Sequence, residues 1–123
     1  MARKKFAKKT GSAAWRAAAM RFPETEETSS CNKAAFKARG KSFLFLGGKD
    51  DATYNLMVRL TDSRSEAEKM AKADPDRISV GPHWITADFD EKKKLPVGLV
   101  ERWLEESFRA VAPKKLIAEF DAA

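Results

Sequence analysis

Apolar residues recur every three or four positions in three parts of the chain, which is the spacing of one face of a helix. The first set consists of Trp15, Ala18, Ala19 and Phe22. Ser12 is placed to cap this helix and Pro23 to end it. Ser63 and Glu66 have the spacing of a helix capping box, which predicts a second helix that ends before 74–76. The third stripe fills 97–111, between two prolines. We therefore predict three helices.

Five further segments are predicted as β-strands. Four of them alternate with a period of two, and the run 42–46 is apolar on both faces, as expected of a central strand. We place these strands at 33–39, 42–46, 53–60, 77–80 and 84–89. The acidic stretch 24–27 is interpreted as a connector. In the first strand, Ala34, Phe36 and Ala38 fall on one face, and Lys33, Ala35, Lys37 and Arg39 fall on the other. Short turns at Gly40, 47–51 and 81–82 require antiparallel neighbours, because a parallel crossover needs about a dozen residues or more.

These elements predict an α+β fold of two layers, with an antiparallel sheet of about five strands that carries three helices on one face. A single domain is expected over residues 12–117, after a flexible basic arm at 1–11 and before a C-terminal tail at 118–123. One shared core is expected to contain Phe36, Leu44, Leu56, Val58, Ile85, Trp103, Leu104 and Phe108.

Composition narrows the class of protein. The 123 residues are 43% hydrophobic and 34% charged, which is too apolar for intrinsic disorder and too interrupted by charge for a membrane span. The single cysteine, Cys31, cannot form an internal disulfide, and the N-terminus lacks the apolar stretch of a secretory signal. We expect a cytoplasmic protein that does not enter a membrane.

The net charge of +6 is concentrated at the N-terminus. Five cations lie within the first nine residues: Arg3, Lys4, Lys5, Lys8 and Lys9. Such an arm is attracted to polyanions through counterion release. Two alternatives stay open at this point, a solubilising tail and the acid-poor start of an organellar transit peptide.

A second basic region includes the first predicted strand. From Thr28 to Lys49 the chain has five basic residues and no acid. Alternation places Lys33, Lys37 and Arg39 on one strand face, and Lys41 follows the turn, so this face could track a phosphate backbone. The alternative is that these lysines protect a strand edge against pairing with another chain.

Catalytic chemistry is sparse. His83 lies in a turn beside Trp84, and no residue near it in sequence is placed to orient it as a general base. Cys31 lacks the surroundings of a cysteine nucleophile. Neither a metal-ligand motif nor a phosphate-binding loop is present in the sequence. We therefore expect no enzyme, no metal and no cofactor.

Four segments resemble the MmcQ/YjbR family. They read F-P-E-T-E-E at 22–27, A-F-K-A-R-G-K-S-F at 35–43, W-I-T-A at 84–87 and E-S-F-R-A-V-A-P-K-K-L at 106–116. Together the resemblance covers about residues 12–117. It implies a frataxin-like, double-wing fold and a DNA-binding function without a known reaction. The iron binding of frataxin-like proteins is not implied, because the first helix carries Arg16 and Arg21 in place of an acidic ridge.

The residues and the resemblance together leave two hypotheses for the function. The leading hypothesis is a monomeric, non-enzymatic DNA-binding protein that contacts phosphates through the basic hairpin and the arm. The alternative is a small module that binds a protein or a small ligand through a patch at His83 and Trp84. A strong salt dependence of binding would favour the first, and a dry apolar pocket the second.

Overall fold

The computed structural model describes residues 11–30, 33–48, 53–89 and 97–122. Within these ranges the chain forms four helices and six strands, which confirms the α+β class. In chain order they are α1 Gly11–Ala19, β1 Thr25–Ser30, β2 Lys33–Ala38, β3 Lys41–Gly48, β4 Tyr54–Val58, α2 Arg64–Ala73, β5 Ile78–Val80, β6 Ile85–Phe89, α3 Val97–Val111 and α4 Lys114–Ala122.

The six strands form one sheet in the order β1-β2-β3-β4-β6-β5, and every neighbouring pair is antiparallel. The register aligns apolar residues across the sheet, since Phe36 pairs with Leu44, Leu44 with Val58, and Val58 with Ile85. Cross-strand partners share a face, so this row forms one apolar surface.

The helices cover that apolar surface. Helix α3 contacts β3 and β4, α1 packs on α3 and β3, and α2 packs on β5. All eight residues expected in the core are buried there, which confirms that prediction. Four phenylalanines join the layers: Phe22 stacks on Phe108 with ring centroids 4.6 Å apart, and Phe43 and Phe120 lie within 5.7 Å of the same Phe108 ring.

Two elements were not predicted. Strand β1 reads T-E-E-T-S-S, so it has no apolar alternation, and it forms the sheet edge by pairing with β2. Helix α4 follows Pro113, whose carbonyl accepts hydrogen bonds from the amides of Leu116 and Ile117. Pro113 therefore begins a helix as well as following one. Residues 118–122, assigned above to a tail, lie in α4.

The two helix caps predicted from the sequence, Ser12 and Ser63, need correction. Helix α1 begins at Gly11, so Ser12 lies inside it, and it ends at Ala19 before Pro23. Ser63 does precede α2, but its hydroxyl makes no capping bond and donates instead to Glu106 of α3. The predicted capping-box hydrogen bond is therefore wrong. The Glu106 carboxylate accepts hydrogen bonds from both the Ser63 hydroxyl and the Ser63 amide, the latter at 2.8 Å.

None of the helices within the described ranges has the length and apolar content that a bilayer crossing requires.

Candidate nucleic-acid interface

The sheet face opposite the four described helices, here called the outer face, carries the candidate site. Strand alternation turns every second residue toward it. Its members in the central strands are Lys33, Ala35 and Lys37 of β2, Phe45 and Gly47 of β3, Asn55 and Met57 of β4, and Thr86 and Asp88 of β6. Arg59 and Trp84 continue the same alternation just beyond β4 and before β6. Cations and aromatic rings therefore share one side of the sheet.

Lys33 lies flat against the sheet. A Cβ built on Gly47, its neighbour on β3, would lie 3.0 Å from Lys33 Cγ and 3.1 Å from Asn55 Oδ1. The aliphatic stem of Lys33 thus crosses the bare backbone of Gly47. A side chain at Gly47 would displace that stem, so glycine there positions the lysine.

Lys37 lies four residues after Lys33 on the same face and is half-buried. Its partners in register are Glu26 on β1 and Ser42 on β3. Neither Lys33 nor Lys37 forms an ion pair in the described part of the chain. Their ammonium charges are therefore available to an external anion. Ala35, between the two lysines, is fully buried.

Arg39 corrects the predicted strand face. Strand β2 ends at Ala38, and Arg39 lies in the turn with φ of 51°. Its guanidinium donates two hydrogen bonds to Glu24, from Nε to Oε1 at 3.1 Å and from Nη2 to Oε2 at 3.0 Å. This hydrogen bonding lowers the pKa of Glu24 and raises the pKa of Arg39. Arg39 is thus held by a carboxylate, unlike Lys33 and Lys37.

Lys41 begins β3 opposite Ala38 and is exposed at the end of the hairpin. The register shifts between Phe36 and Lys37, leaving Phe43 as an extra residue on β3. Because of this bulge, both Phe43 and its neighbour Leu44 are fully buried. The hairpin therefore has a packed base and a charged end.

Arginines and lysines have different roles in the described residues. Six arginines have carboxylate partners: Arg16 with Glu27, Arg21 with Glu101, Arg39 with Glu24, Arg77 with Asp74, Arg102 with Glu66, and Arg109 with Glu105 and Asp121. No described lysine takes part in these pairs. Most of these pairs join different elements, whereas Arg77–Asp74 and Arg109–Glu105 are local.

An aromatic cluster, defined as Phe45, Met57, Arg59 and Trp84, occupies the centre of the outer face. The rings of Phe45 and Trp84 meet edge to face with centroids 5.4 Å apart, although β4 lies between their strands. The Trp84 ring therefore leans across β4. The Arg59 guanidinium lies 5.9 Å from the centroid of that ring, a cation–π contact. Phe45, Met57 and Trp84 are all half-buried.

The turn beside this cluster holds His83, which is exposed. The turn is closed by a hydrogen bond from the Gly81 amide to the Trp84 carbonyl at 2.9 Å. Arg64 of α2 also donates to the Gly81 carbonyl at 2.5 Å. These hydrogen bonds hold the backbone of the turn in place, so the position from which the Trp84 side chain extends is fixed.

Sequence reasoning identified Lys33, Lys37 and Trp84 but missed Phe45, Met57 and Arg59. The strand 42–46 is apolar on both faces, which was interpreted as burial of both faces, and that interpretation hid Phe45. Phe45 and Met57 are outward-facing apolar residues directly opposite each other on two predicted strands. The signal in the sequence was an apolar residue at an outward position of each of these two strands, and only the structure shows that the two residues meet.

A separate groove of about 500 Å³ lies among α1, α3 and α4. Phe22 and Phe120 line it, together with Arg21 and the carboxylates of Glu101, Glu105 and Glu119. Its charged rim differs from the dry apolar pocket that would favour a small-ligand function. The described residues contain no group of three or more His, Cys, Asp or Glu side chains arranged to hold a metal ion.

The cations of the arm, which are Arg3, Lys4, Lys5, Lys8 and Lys9, lie outside the described residues, as does Cys31. Their roles stay predictions.

The sequence pattern of the YjbR family matches residues 20–110, which is about three quarters of the chain and includes the whole sheet and nearly all of α3. The chain belongs to the YjbR family. This confirms the family that the four segments indicated. Neither a curated protein nor a solved structure matches the chain, so its frataxin-like, double-wing character stays a prediction.

Proposed function

We propose that this YjbR-family protein binds DNA through its outer face, with Lys33 and Lys37 contacting phosphates. The observation that carries the proposal is the pairing state of the cations. Lys33 and Lys37 lie on one face of β2 without ion pairs among the described residues, while most of the described arginines are held by carboxylates. The DNA-binding expectation that comes with the family resemblance points in the same direction.

Free lysines are suited to this role because a lysine acts on phosphate as a compact point charge. Each phosphate neutralised on duplex DNA releases condensed counterions and steepens the log–log salt dependence by about 0.9. Arg39 would first have to leave Glu24, so it contributes less than a free cation in the same position. Lys41 at the hairpin end and the arm add attraction that is independent of sequence.

No catalytic step is part of this proposal. In the described part of the chain, His83 has no hydrogen-bonded partner that would orient it as a general base.

The test compares two variants with the same change in charge. Lys33→Gln with Lys37→Gln removes the two cations of the outer face, and Lys69→Gln with Lys72→Gln removes two exposed lysines from α2. Binding of a labelled duplex is followed by anisotropy at several salt concentrations. The first pair of changes should reduce the slope by about 1.8, two phosphate contacts at about 0.9 each, and the second should leave it unchanged.

Equal losses in both double variants would show that net charge alone is responsible, and would contradict a site on the outer face. Absence of binding by the parent protein at low salt would contradict DNA binding itself.

A further inference from the structure

The centre of the outer face is aromatic, and this constrains the form of DNA it can bind. Phe45 lies opposite Ala35, which separates Lys33 from Lys37 on the outer face of β2. Lys33 is therefore a diagonal neighbour of Phe45, at the roughly 7–8 Å typical of such positions, and Lys37 lies on the other side, next to the bulge. Across β4 the Phe45 ring meets Trp84. Rings therefore lie between and beside two free cations, within the span of a few nucleotides.

Duplex DNA offers little to rings in this position. Its base faces are stacked inside the helix, and proteins reach base edges through the grooves. The major groove is about 12 Å wide and admits a helix or a two-stranded ribbon. A six-stranded sheet spans about 24 Å at about 4.8 Å per strand, so the outer face cannot enter the groove. Against a duplex, Phe45 and Trp84 would face the phosphate backbone.

In single-stranded DNA the base faces are accessible to these rings. Its bases are free to stack on aromatic side chains, while lysines beside the rings follow the backbone. An arginine next to a ring adds a further planar cation on which a base can stack, and Arg59 is placed over Trp84 in this way. The combination of half-buried rings and unpaired lysines on an open sheet has the composition of a stacking platform.

We infer that the outer face binds single-stranded DNA in preference to duplex, with bases stacked on Trp84 and Phe45 and phosphates on Lys33 and Lys37. This inference rests on the proposed function and names the form of DNA that the same site takes.

The experiment uses the full chain and three probes of equal length: a 15-nucleotide oligothymidine, the same backbone with abasic sites throughout, and the duplex of oligothymidine with its complement. The abasic strand keeps every phosphate and lacks every base, so it separates stacking from charge. Oligothymidine should bind at least about fivefold more tightly than the abasic strand, which corresponds to the lower end of base–aromatic stacking.

Tryptophan fluorescence provides a direct readout of the ring. Trp15 and Trp103 are fully buried, whereas Trp84 is half-buried on the outer face. Oligothymidine should therefore quench the emission of Trp84, and the abasic strand should not. In Trp84→Phe this quenching should disappear, while most of the affinity for oligothymidine remains because phenylalanine still offers an aromatic ring for stacking.

Trp84→Leu keeps an apolar side chain without an aromatic face. It should weaken oligothymidine binding at least about fivefold and leave abasic and duplex binding unchanged. An equal loss for all three probes, or an equal affinity of the parent for all three, would overturn the inference. If either of these results were found and the Lys33→Gln, Lys37→Gln variant still bound DNA more weakly than the parent, only the preference for single strands would be refuted, and the proposal that the outer face binds DNA would be retained. Failure of every probe to bind the parent would instead remove the proposed function.

Discussion

At the scale of single residues, one carboxylate decides whether a predicted DNA contact is available. Glu24 and Arg39 both have positive φ values, 52° and 51°, and their side chains form a two-point ion pair beside the hairpin. The pKa of Glu24 is lowered, so the pair persists to a lower pH than an isolated carboxyl would allow. Sequence alternation could not reveal this partner, because Glu24 was interpreted as part of a connector.

Releasing Arg39 should strengthen DNA binding. In Glu24→Gln the guanidinium loses its ionic partner and becomes free for phosphate, so the slope of affinity against salt should steepen by up to about 0.9. Glu68→Gln, the same change in charge on the exposed face of α2, is the matched control and should have a smaller effect. Anisotropy titration of both variants checks this, and identical behaviour would show that Arg39 takes no part in binding.

Ser107, which lies in the family-like segment 106–116, has a structural role. Ser107 is fully buried, donates to the Phe43 carbonyl at 2.5 Å and accepts from the Arg59 amide at 2.9 Å. It therefore links α3 to β3 and to the chain after β4. Its neighbour Glu106 accepts the amides of Thr61 and Ser63 at 3.2 Å and 2.8 Å.

Ser107→Ala should lower the free energy of unfolding by about 1–3 kcal/mol, because the buried Phe43 carbonyl and the partly buried Arg59 amide lose their partner. Ser79→Ala, at an exposed position of β5, should change it by less than about 0.5 kcal/mol. Urea denaturation of both variants measures the difference. A neutral Ser107→Ala would mean that these bonds do not hold α3 on the sheet.

At the scale of elements, the sequence predicted the strands that contain apolar residues and did not predict β1, which has none. Strands β2 to β6 were predicted because residues such as Phe36, Leu44 and Leu56 face a core. Strand β1 lacks any apolar residue, so its pairing with β2 is visible only in three dimensions. That pairing also places Glu26 beside Lys37, which moderates the acid-free stretch seen in the sequence.

Helix α4 is the second element that the sequence did not reveal. It buries Leu116 fully and packs Phe120 against Phe22, with ring centroids 4.9 Å apart. Arg109 joins it to α3 through Asp121, and this hydrogen bond lowers the pKa of Asp121. Pro113 was interpreted as the end of the last helix, so the apolar residues that follow it were not tested for a new one.

Leu116→Ala tests whether α4 is part of the folded core. Removing this buried side chain should cost about 2–5 kcal/mol through lost burial and the cavity left behind. The exposed Met20, at 47% of its full accessibility, gives the control Met20→Ala, which should have little effect. Thermal denaturation distinguishes the two. A negligible loss in Leu116→Ala would show that α4 does not contribute to stability.

At the scale of the whole molecule, the fold separates stability from binding. One side of the sheet carries the helices, the phenylalanine cluster and most of the arginine–carboxylate pairs, while the other presents lysines and the aromatic cluster. The sequence indicated the lysines, because charge is visible in one dimension. It could not indicate the cluster, because Phe45, Arg59 and Trp84 come from three segments that only the strand register brings together.

The most direct test of the outer face as the binding site is a heteronuclear NMR titration of the full chain with oligothymidine. The three tryptophan indole N–H signals report on different places, since Trp15 donates to Tyr54, Trp103 donates to Glu66, and Trp84 lies on the outer face. The Trp84 indole signal and the amides of β2 and β3 should shift, with the Trp15 and Trp103 signals unmoved. Shifts confined to the helix layer, or none outside the N-terminal arm, would contradict the outer face as the DNA-binding site.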